Sequence, residues 1–346
     1  MGTRKKVFWN GLFFAAVFLL TIYGVFHGQN LAGIWEALQK CLKGWIMMSV
    51  VCVFIFIWGE SIIIWYMMRS YGILLKKRIC FLFSSVGFFF SCVTPSASGG
   101  QPMQIYFMKK EKIPIPVSTV ILMIVTITYK LVLVVFGIVI ALFARPFMER
   151  YMGGILFIFY LGLGLNIFCV TSMSVLVFHP FFAKRIMTGG LAFLEKLHIL
   201  KHKEGRLLRL ENSMDMYGET ARFMSAHPWL MLHIFLITVL QRIALFTVTY
   251  FVYRSFGLGE LSWLTVMTLQ AVIAVSVDML PLPGGMGISE TLFLKLFLPV
   301  FGQGLLLPGM VLSRGLGYYS ELLISAFFTL AAVVVFAVRD RKENIQ

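Results

Sequence analysis

Charged residues are scarce in this chain. Asp, Glu, Lys and Arg make up 13% of its 346 residues, whereas hydrophobic residues make up 59%. Soluble domains carry about 25% charged residues, so this composition excludes a soluble enzyme or a nucleic-acid-binding module, and the high apolar fraction excludes a disordered chain. A net charge of +15 must then be explained within a polytopic membrane protein, whose basic residues accumulate in cytoplasmic loops.

Cysteine and catalytic motifs are also sparse. The five cysteines form no CxxC pair, and we interpret them as buried free thiols that hold neither disulfides nor a metal. We find no P-loop, no HExxH motif and no grouping of Ser, His and Asp, and the six histidines are scattered. The sequence therefore predicts no cofactor, no metal site and no ATP hydrolysis by this chain.

Long apolar runs dominate what remains. Because a membrane-spanning helix needs about 20 apolar residues, six spans are predicted, at 7–26, 45–67, 117–143, 153–178, 228–253 and 306–337. We expect the first to be an uncleaved transmembrane helix, since no clear small-x-small cleavage site follows it.

Two further apolar segments are broken by proline and glycine. Residues 79–93 run into the stretch 94–102 and a short helix-like segment that ends near Met108, and residues 262–280 run into 281–287 and a segment at 288–299. Proline and glycine at this density end a helix. Each region is therefore predicted to be a helix, a break and a second helix.

The distribution of Lys and Arg predicts the topology. With the N-terminus inside, 21 of the 30 basic residues fall in cytoplasmic segments, 5 in external segments and 4 within the membrane, which favours cytoplasmic termini. The first broken segment then enters and leaves on the inside and the second on the outside. We therefore predict an all-α protein with six spans and two opposed re-entrant hairpins, as in an inverted repeat. The alternative is two ordinary helical hairpins with kinked tips.

We expect residues 1–346 to form one membrane domain, with residues 183–226 as a basic connector on the cytoplasmic side. Apolar residues recur there at helical spacing, as at Leu191, Leu194 and Leu197, among eight Lys and Arg. This pattern is typical of helices that lie on an anionic lipid surface. A solvated connector with one packed face is the alternative.

Eight ionisable residues lie within the apolar segments, at a cost of about 2.5–3.5 kcal/mol for each central charge. They are Glu60, Lys130, Arg242, Asp278, Glu290, Lys295, Arg314 and Glu321. Helical spacing aligns several with polar neighbours: Lys130 follows Thr126, and Arg314 precedes Tyr318. Two interpretations remain open: buried ion pairs that fix helix packing, or a polar cavity that handles a charged group.

The glycine-rich breaks favour an anion as that group. Gly99 and Gly100, and Gly284, Gly285 and Gly287, each precede a new helical stretch, and free N–H groups at a helix start attract anions. With the nearby cations they suit a phospholipid phosphate. The predicted binding residues are Thr94, Ser98, Gly99, Gly100, Gln101, Lys130, Arg242, Asp278, Gly284, Gly285, Gly287, Glu290, Arg314 and Glu321.

The two breaks also carry a resemblance. The segment Thr94-Pro95-Ser96-Ala97-Ser98-Gly99-Gly100-Gln101-Pro102, the segment Leu280-Pro281-Leu282-Pro283-Gly284-Gly285-Met286-Gly287-Ile288-Ser289-Glu290 and Arg314 resemble the lysylphosphatidylglycerol synthase transmembrane, or flippase-like, family. In its bifunctional members, called MprF, a cytoplasmic domain transfers lysine from lysyl-tRNA to phosphatidylglycerol. The membrane part moves the aminoacylated lipid between leaflets and protects bacteria from cationic antimicrobial peptides.

The resemblance implies a multi-pass protein of the bacterial cell membrane that handles an anionic or aminoacylated phospholipid such as lysylphosphatidylglycerol. We expect no transferase domain after Arg339-Asp340-Arg341-Lys342. The alternatives are a phosphatidylglycerol lysyltransferase, or the membrane subunit of a lipid-modifying enzyme, and a secondary transporter of a small anion. Expected partners are membrane phospholipid, a separate lipid-synthesising enzyme and a second copy of the chain, with no directly bound nucleic acid.

Overall fold

A computed structural model describes residues 31–94, 97–143, 147, 151–196, 205–280, 285 and 287–343. The predicted first span, 7–26, lies outside the described residues. So do residues 95–96 of the first break and residues 281–284 and 286 of the second, and Gly284 of the predicted site is among them.

Every regular element among the described residues is a helix, which confirms the all-α prediction for this part of the chain. In chain order the helices are α1 (Leu31–Gln39), α2 (Lys43–Ser70), α3 (Lys77–Val93), α4 (Gly100–Lys110), α5 (Ile115–Phe143), α6 (Leu156–Phe178), α7 (Pro180–Lys196), α8 (Arg206–Ser225), α9 (Pro228–Ser255), α10 (Trp263–Val277), α11 (Ile288–Leu296), α12 (Leu298–Arg314) and α13 (Ser320–Glu343). A π-helical segment, Gly315–Tyr319, joins α12 to α13.

Five helical stretches are long and apolar enough to cross a membrane: Lys43–Ser70, Ile115–Phe143, Leu156–Phe178, Pro228–Ser255 and Leu298–Phe336. The first four agree closely with predicted spans at both ends. In the fifth, Gly302 has a φ of +66° and interrupts the helix before the predicted start at 306. Large apolar side chains on these helices are exposed, as at Phe157 (78%) and Phe168 (71%), and lipid is the environment that suits such surfaces.

The order of elements in residues 43–143 recurs in residues 228–343. Each stretch has a long helix, two short helices around a break, and a second long helix. Corresponding helices begin at Lys43 and Pro228, at Lys77 and Trp263, and at Gly100 and Ile288, so the offset along the chain is nearly constant. We call residues 43–143 the first repeat and residues 228–343 the second repeat.

The leading helices of the two repeats, α2 and α9, pack against each other in opposite directions. The ring centroids of Trp45 and Phe251 lie 5.6 Å apart. Further along, Gln241 Nε2 donates to the Phe56 carbonyl oxygen at 2.7 Å, and Tyr66 Oη lies 3.2 Å from His233 Nδ1. Residue numbers thus rise along one helix as they fall along the other. Phe56 and Gln241 are separated by the same offset as the starts of their helices, so this hydrogen bond joins equivalent positions of the two repeats.

Close backbone approach holds the first hairpin together. A Cβ atom on Gly100 would lie 2.7 Å from the Gly87 carbonyl oxygen and would also overlap Ser91 Oγ. Gly87 itself lies against the Gln104 side chain. Only glycine leaves room at these contacts, so α3 and α4 run back along each other as a tight antiparallel pair.

Apolar side chains form two large cores, one around each hairpin. Phe83 and Phe107 lie in the first core together with Met224 of α8, so the connector helix α8 packs one face on the membrane helices. Val272 and Phe293 lie in the second core.

Helix α6 touches the end of α10 at Gly162. A Cβ atom there would overlap the Val275 carbonyl oxygen and lie 2.7 Å from Ser276 Cα. Asn166 Nδ2 donates to the Gly162 carbonyl oxygen at 2.9 Å and reaches that of Val275 at 3.4 Å. This contact supports the helix end that leads into the second break.

We therefore expect Gly162→Ala to destabilise the protein by about 1–3 kcal/mol, because the added methyl group must displace backbone atoms. Gly164→Ala is the matched control, since Gly164 lies on the same helix and a methyl group added there would meet no atom within 4 Å. Thermal unfolding of the detergent-solubilised variants measures the difference. Equal midpoints for the two variants would show that the α6–α10 contact is loose.

Candidate functional site between the two helix breaks

A cavity of about 460 Å³ lies between the two breaks and the long helices. Eight of the predicted binding residues line it: Ser98, Gln101, Lys130, Arg242, Asp278, Gly285, Arg314 and Glu321. The volume is in the range of ordinary ligand pockets, about 300–1,000 Å³. The structure thus brings residues from both repeats to one polar space.

Lys130 and Asp278 form the shortest ion pair of the cavity among the described residues. Lys130 Nζ, on α5, lies 2.6 Å from Asp278 Oδ2, directly after α10. Both side chains are largely buried, with 14% and 15% of their surfaces exposed. The pair therefore ties the second break to the first repeat, and the positive charge of Lys130 is balanced within the protein.

Arg242 is in a different situation. Its guanidinium carbon lies 3.1 Å from the ring centroid of Tyr129, and its nearest carboxylate oxygen, Asp278 Oδ1, is 3.9 Å from Nη2. The residue is only 3% exposed, yet Nε and Nη2 make no hydrogen bond within the described residues. A buried guanidinium with unmade hydrogen bonds is costly, so this group is suited to an anion with free oxygens.

The start of α11 already holds an anion of its own. Glu290 Oε2 accepts hydrogen bonds from the Gly287 N–H at 2.6 Å and from Ser289 Oγ at 3.0 Å. Its other oxygen, Oε1, lies 2.9 Å from Arg314 Nε. Glu290 thus caps α11 and joins it to α12. Its carboxylate occupies the Gly287 N–H group and the Arg314 cation, both of which the sequence pattern suggested for a ligand.

The first break is closed by neutral groups. Thr94 Oγ1 donates to the Phe90 carbonyl oxygen at 2.6 Å and accepts from the Gly99 N–H at 2.9 Å. Gln101 Nε2, at the start of α4, donates to Thr126 Oγ1 and to the Leu122 carbonyl oxygen. Thr94 and Gly99 therefore shape the turn, while Gln101 both anchors α4 to α5 and lines the cavity.

Two further carboxyl groups reach the cavity, and their close partners are neutral. Glu60 Oε1 accepts from Gln104 Nε2 at 2.7 Å, and Glu321 Oε1 accepts from Cys92 Sγ at 3.6 Å. Neither carboxyl forms an ion pair with another residue in the part of the chain that the structure describes. Sequence reasoning noted both acids but missed Gln104, whose only signal is a polar side chain facing inward on a short helix.

Contacts around the cavity occur in matched pairs across the repeats. Lys130 of the first repeat binds Asp278 of the second, and Tyr318 Oη of the second donates to the Cys92 carbonyl oxygen of the first at 2.7 Å. Lys130 corresponds to Tyr318, and Cys92 corresponds to Asp278, at nearly the same offset along the chain as the helix starts. Each repeat thus holds the end of the other repeat's hairpin helix.

A second match lies within the repeats. Gln101 contacts Thr126 in the first repeat, and Glu290 contacts Arg314 at the corresponding positions of the second. The same junction between a hairpin helix and the following long helix is therefore neutral in one repeat and ionic in the other.

The π-helical segment Gly315–Tyr319 lies beside the cavity. Short π-helical insertions alter the direction of side chains within a helix and are frequent at functional sites. Here the segment separates Arg314 from Glu321 and carries Tyr318, and all three side chains line the cavity.

Comparison with known families agrees with the two-break pattern. The family model described as the lysylphosphatidylglycerol synthase TM region matches residues 8–325. The chain belongs to this family. The match spans both breaks and all the residues that line the cavity, and it confirms the family that the sequence motifs resemble. No curated protein matches the chain.

Loss of one partner of the Glu290–Arg314 pair should remove a close contact between two largely buried charges, at a cost of about 3–5 kcal/mol. We expect Glu290→Gln and Arg314→Gln each to lower stability by that order, and the double variant to lose less than the sum. Unfolding in detergent, analysed as a double-mutant cycle, measures the coupling.

The exposed pair Lys184–Asp215, at 2.9 Å with side chains 34% and 63% exposed, is the control. Its coupling should not exceed about 1 kcal/mol. An equal coupling energy for the two pairs would mean that the Glu290–Arg314 pair is solvated rather than buried.

Proposed function

We propose that this protein binds a phospholipid headgroup in the cavity and moves the lipid between the leaflets of the bacterial cell membrane. The observation that carries the proposal is Arg242, a buried guanidinium with unmade hydrogen bonds among the described residues, beside a cavity of about 460 Å³. Phosphate oxygens match a guanidinium in geometry and charge. In this proposal Arg242 is the principal phosphate ligand, and Lys130 and Arg314 contribute to the field from within their ion pairs.

The arrangement of the repeats supports a transport role. Antiparallel packing of α2 and α9, which occupy equivalent places in the two repeats, fits an inverted repeat in which the hairpins enter from opposite membrane faces. Transporters of this type place their substrate site where broken helices meet, near the middle of the bilayer. Irregular backbone at that depth is tolerated when it lines a protein-enclosed or water-filled cavity.

The acids of the cavity favour a headgroup that carries both charges. Glu60 and Glu321 offer carboxyl oxygens on the same cavity that Arg242 adjoins, so an ammonium group could bind there while the phosphate meets Arg242. Lysylphosphatidylglycerol has this combination, and phosphatidylglycerol supplies the phosphate alone. Export of the lysyl lipid to the outer leaflet would link the protein to resistance against cationic antimicrobial peptides.

We expect Arg242→Gln to weaken binding of phosphatidylglycerol about ten- to hundredfold, because a charge-assisted hydrogen bond contributes about 1.5–3 kcal/mol. Mass spectrometry of co-purifying lipids and movement of labelled phosphatidylglycerol in proteoliposomes measure the loss. Arg254→Gln is the matched control: Arg254 lies on the same helix but stacks on Trp45, at 5.2 Å from the ring centroid, away from the cavity.

Wild-type transport no faster than in protein-free liposomes, for any bacterial phospholipid tested, would refute the proposal. Transport by Arg242→Gln at the wild-type rate would refute the assignment of the phosphate to Arg242. Thermal unfolding of the same samples separates a loss of binding from a loss of the fold.

A further inference from the structure

A smaller space adjoins the main cavity on the side of the second repeat. Its volume is about 130 Å³, and Gln270, Arg314 and Glu321 lie in the walls of both spaces. The residues that line it all fall between Leu245 and Glu321, so elements of the second repeat form its walls. We call this space the side chamber.

Neutral polar groups and apolar groups line the side chamber together. The neutral polar side chains are those of Thr249, Gln270, Ser289, Ser313 and Tyr318. Phe293 supplies an aromatic wall, and the charges of Arg314 and Glu321, at the boundary with the main cavity, have opposite signs. The lining therefore suits a small group that is uncharged and carries both carbon and polar atoms.

The hydroxyl of Ser313 is the least satisfied of these polar groups. The residue is 7% exposed, and its Oγ makes no hydrogen bond within the described residues. Thr249 Oγ1, by contrast, donates to Gln270 Oε1 at 3.2 Å, a contact that uses the oxygen of that amide and not the Nε2 donor. A hydroxyl buried without a partner is costly. Ser313 Oγ is thus placed to bond a polar group that enters the side chamber.

The first repeat has apolar residues where the side chamber has Thr249 and Ser313. At the offsets that relate the repeats, Thr249 corresponds to Ile64, and Ser313 corresponds to Val125. Ile64 and Val125 both belong to the first apolar core. The shared scaffold therefore folds with apolar side chains at these places, so packing alone does not require the two hydroxyls of the second repeat.

We propose that the side chamber binds the alcohol part of a phospholipid headgroup, a small hydroxyl-bearing group such as glycerol. The inference rests on the proposed function, since it places the phosphate at Arg242 in the main cavity. Thr249 lies seven residues after Arg242 on α9, two helical turns along the same face. A phosphate at Arg242 can therefore direct its substituent along α9 into the side chamber.

Size selects a small alcohol. A cavity of about 150 Å³ accommodates a benzene ring. The side chamber, at about 130 Å³, therefore suits glycerol, which has as many non-hydrogen atoms as benzene, and is too small for inositol, which has twice as many.

Hydrogen-bonding chemistry selects the same class. A hydroxyl group both donates and accepts hydrogen bonds, whereas an ammonium group only donates. A ligand hydroxyl can accept from Ser313 Oγ or Gln270 Nε2 and donate to the Glu321 carboxyl group, while the carbon atoms beside it contact Phe293. An ammonium group would meet the Gln270 donor without an acceptor of its own.

Calorimetric titration of the full chain in detergent compares two lipid probes of equal charge. Dioctanoyl phosphatidylglycerol has a glycerol headgroup, and dioctanoyl phosphatidylmethanol has the same monovalent phosphodiester without a hydroxyl. We expect phosphatidylglycerol to bind about ten- to thirtyfold more tightly, because its two hydroxyls add hydrogen bonds in a buried space. Dioctanoyl phosphatidylinositol should show no such advantage, since its headgroup exceeds the side chamber.

A water-soluble probe distinguishes a lipid from a free phosphodiester. Glycerophosphoglycerol has the same headgroup and no acyl chains, and we expect it to bind far more weakly than phosphatidylglycerol. Equal affinities for these two probes would contradict the assignment of the side chamber to a lipid headgroup.

Ser313→Ala should lower the affinity for phosphatidylglycerol about three- to tenfold and so reduce its preference over phosphatidylmethanol. The fold should be kept, because the hydroxyl that is removed has no partner among the described residues. Gln270→Met, which removes the amide donor, should reduce the preference as well. Ser325→Ala is the matched control: Ser325 Oγ is also buried without a hydrogen bond in the described part of the chain, but Ser325 lines neither space.

The outcomes separate the two proposals. Failure of both phosphatidylglycerol and phosphatidylmethanol to bind the wild type would overturn the phosphate site and the side chamber with it. Equal affinities of the wild type for these two lipids would overturn the role of the side chamber and leave the phosphate site in place. A preference that survives in both Ser313→Ala and Gln270→Met, or that is lost in Ser325→Ala, would place the hydroxyls elsewhere and contradict the inference.

Discussion

A helix that ends where water is excluded leaves backbone N–H and carbonyl groups without partners, and the polar features of this protein follow from how those groups are satisfied. Thr94 accepts from the Gly99 N–H in the first break, and Glu290 accepts from the Gly287 N–H in the second. Tyr318 donates to the carbonyl oxygen of Cys92 at the end of a hairpin helix. The breaks are therefore stable because side chains, some from distant helices, supply the missing hydrogen bonds.

This requirement decides which charges remain for a ligand. Arg314 is used to hold Glu290, which in turn holds α11, and Lys130 is used to hold Asp278. Arg242 lies farther from its carboxylate, with Nη2 at 3.9 Å from Asp278 Oδ1, and keeps two nitrogens without acceptors among the described residues. Packing and the proposed binding are thus divided among three cations that look alike in the sequence, and the division depends on which carboxylate lies within reach.

Hydrophobic periodicity and the positions of charged residues predicted much of the helix architecture, but they predicted few of the contacts between side chains. Four spans, both breaks and the inward position of Lys130, Arg242 and Arg314 followed from apolar runs, from proline and glycine, and from helical spacing. The partners did not, because helical spacing gives the face of a residue and not what lies opposite: Lys130 and Asp278 are far apart in the chain. Nor does helical spacing show that Thr94 and Gly99, both among the predicted binding residues, hydrogen-bond to each other within the turn. The constant offset between the repeats lies in the order of the helices and hardly at all in residue identities, so it becomes visible only with the helix bounds.

The hydrogen bond between Gln241 and the Phe56 carbonyl oxygen joins a position to its own counterpart, so it exists once, whereas the matched contacts around the cavity exist in two copies. A contact present in two copies is free to diverge in one of them. The Gln101–Thr126 and Glu290–Arg314 junctions show the result, since one copy is neutral while the other is ionic. The two halves of the molecule can therefore share a scaffold and still respond differently to charge, whereas a change in the Gln241–Phe56 contact affects equivalent positions of both halves at once.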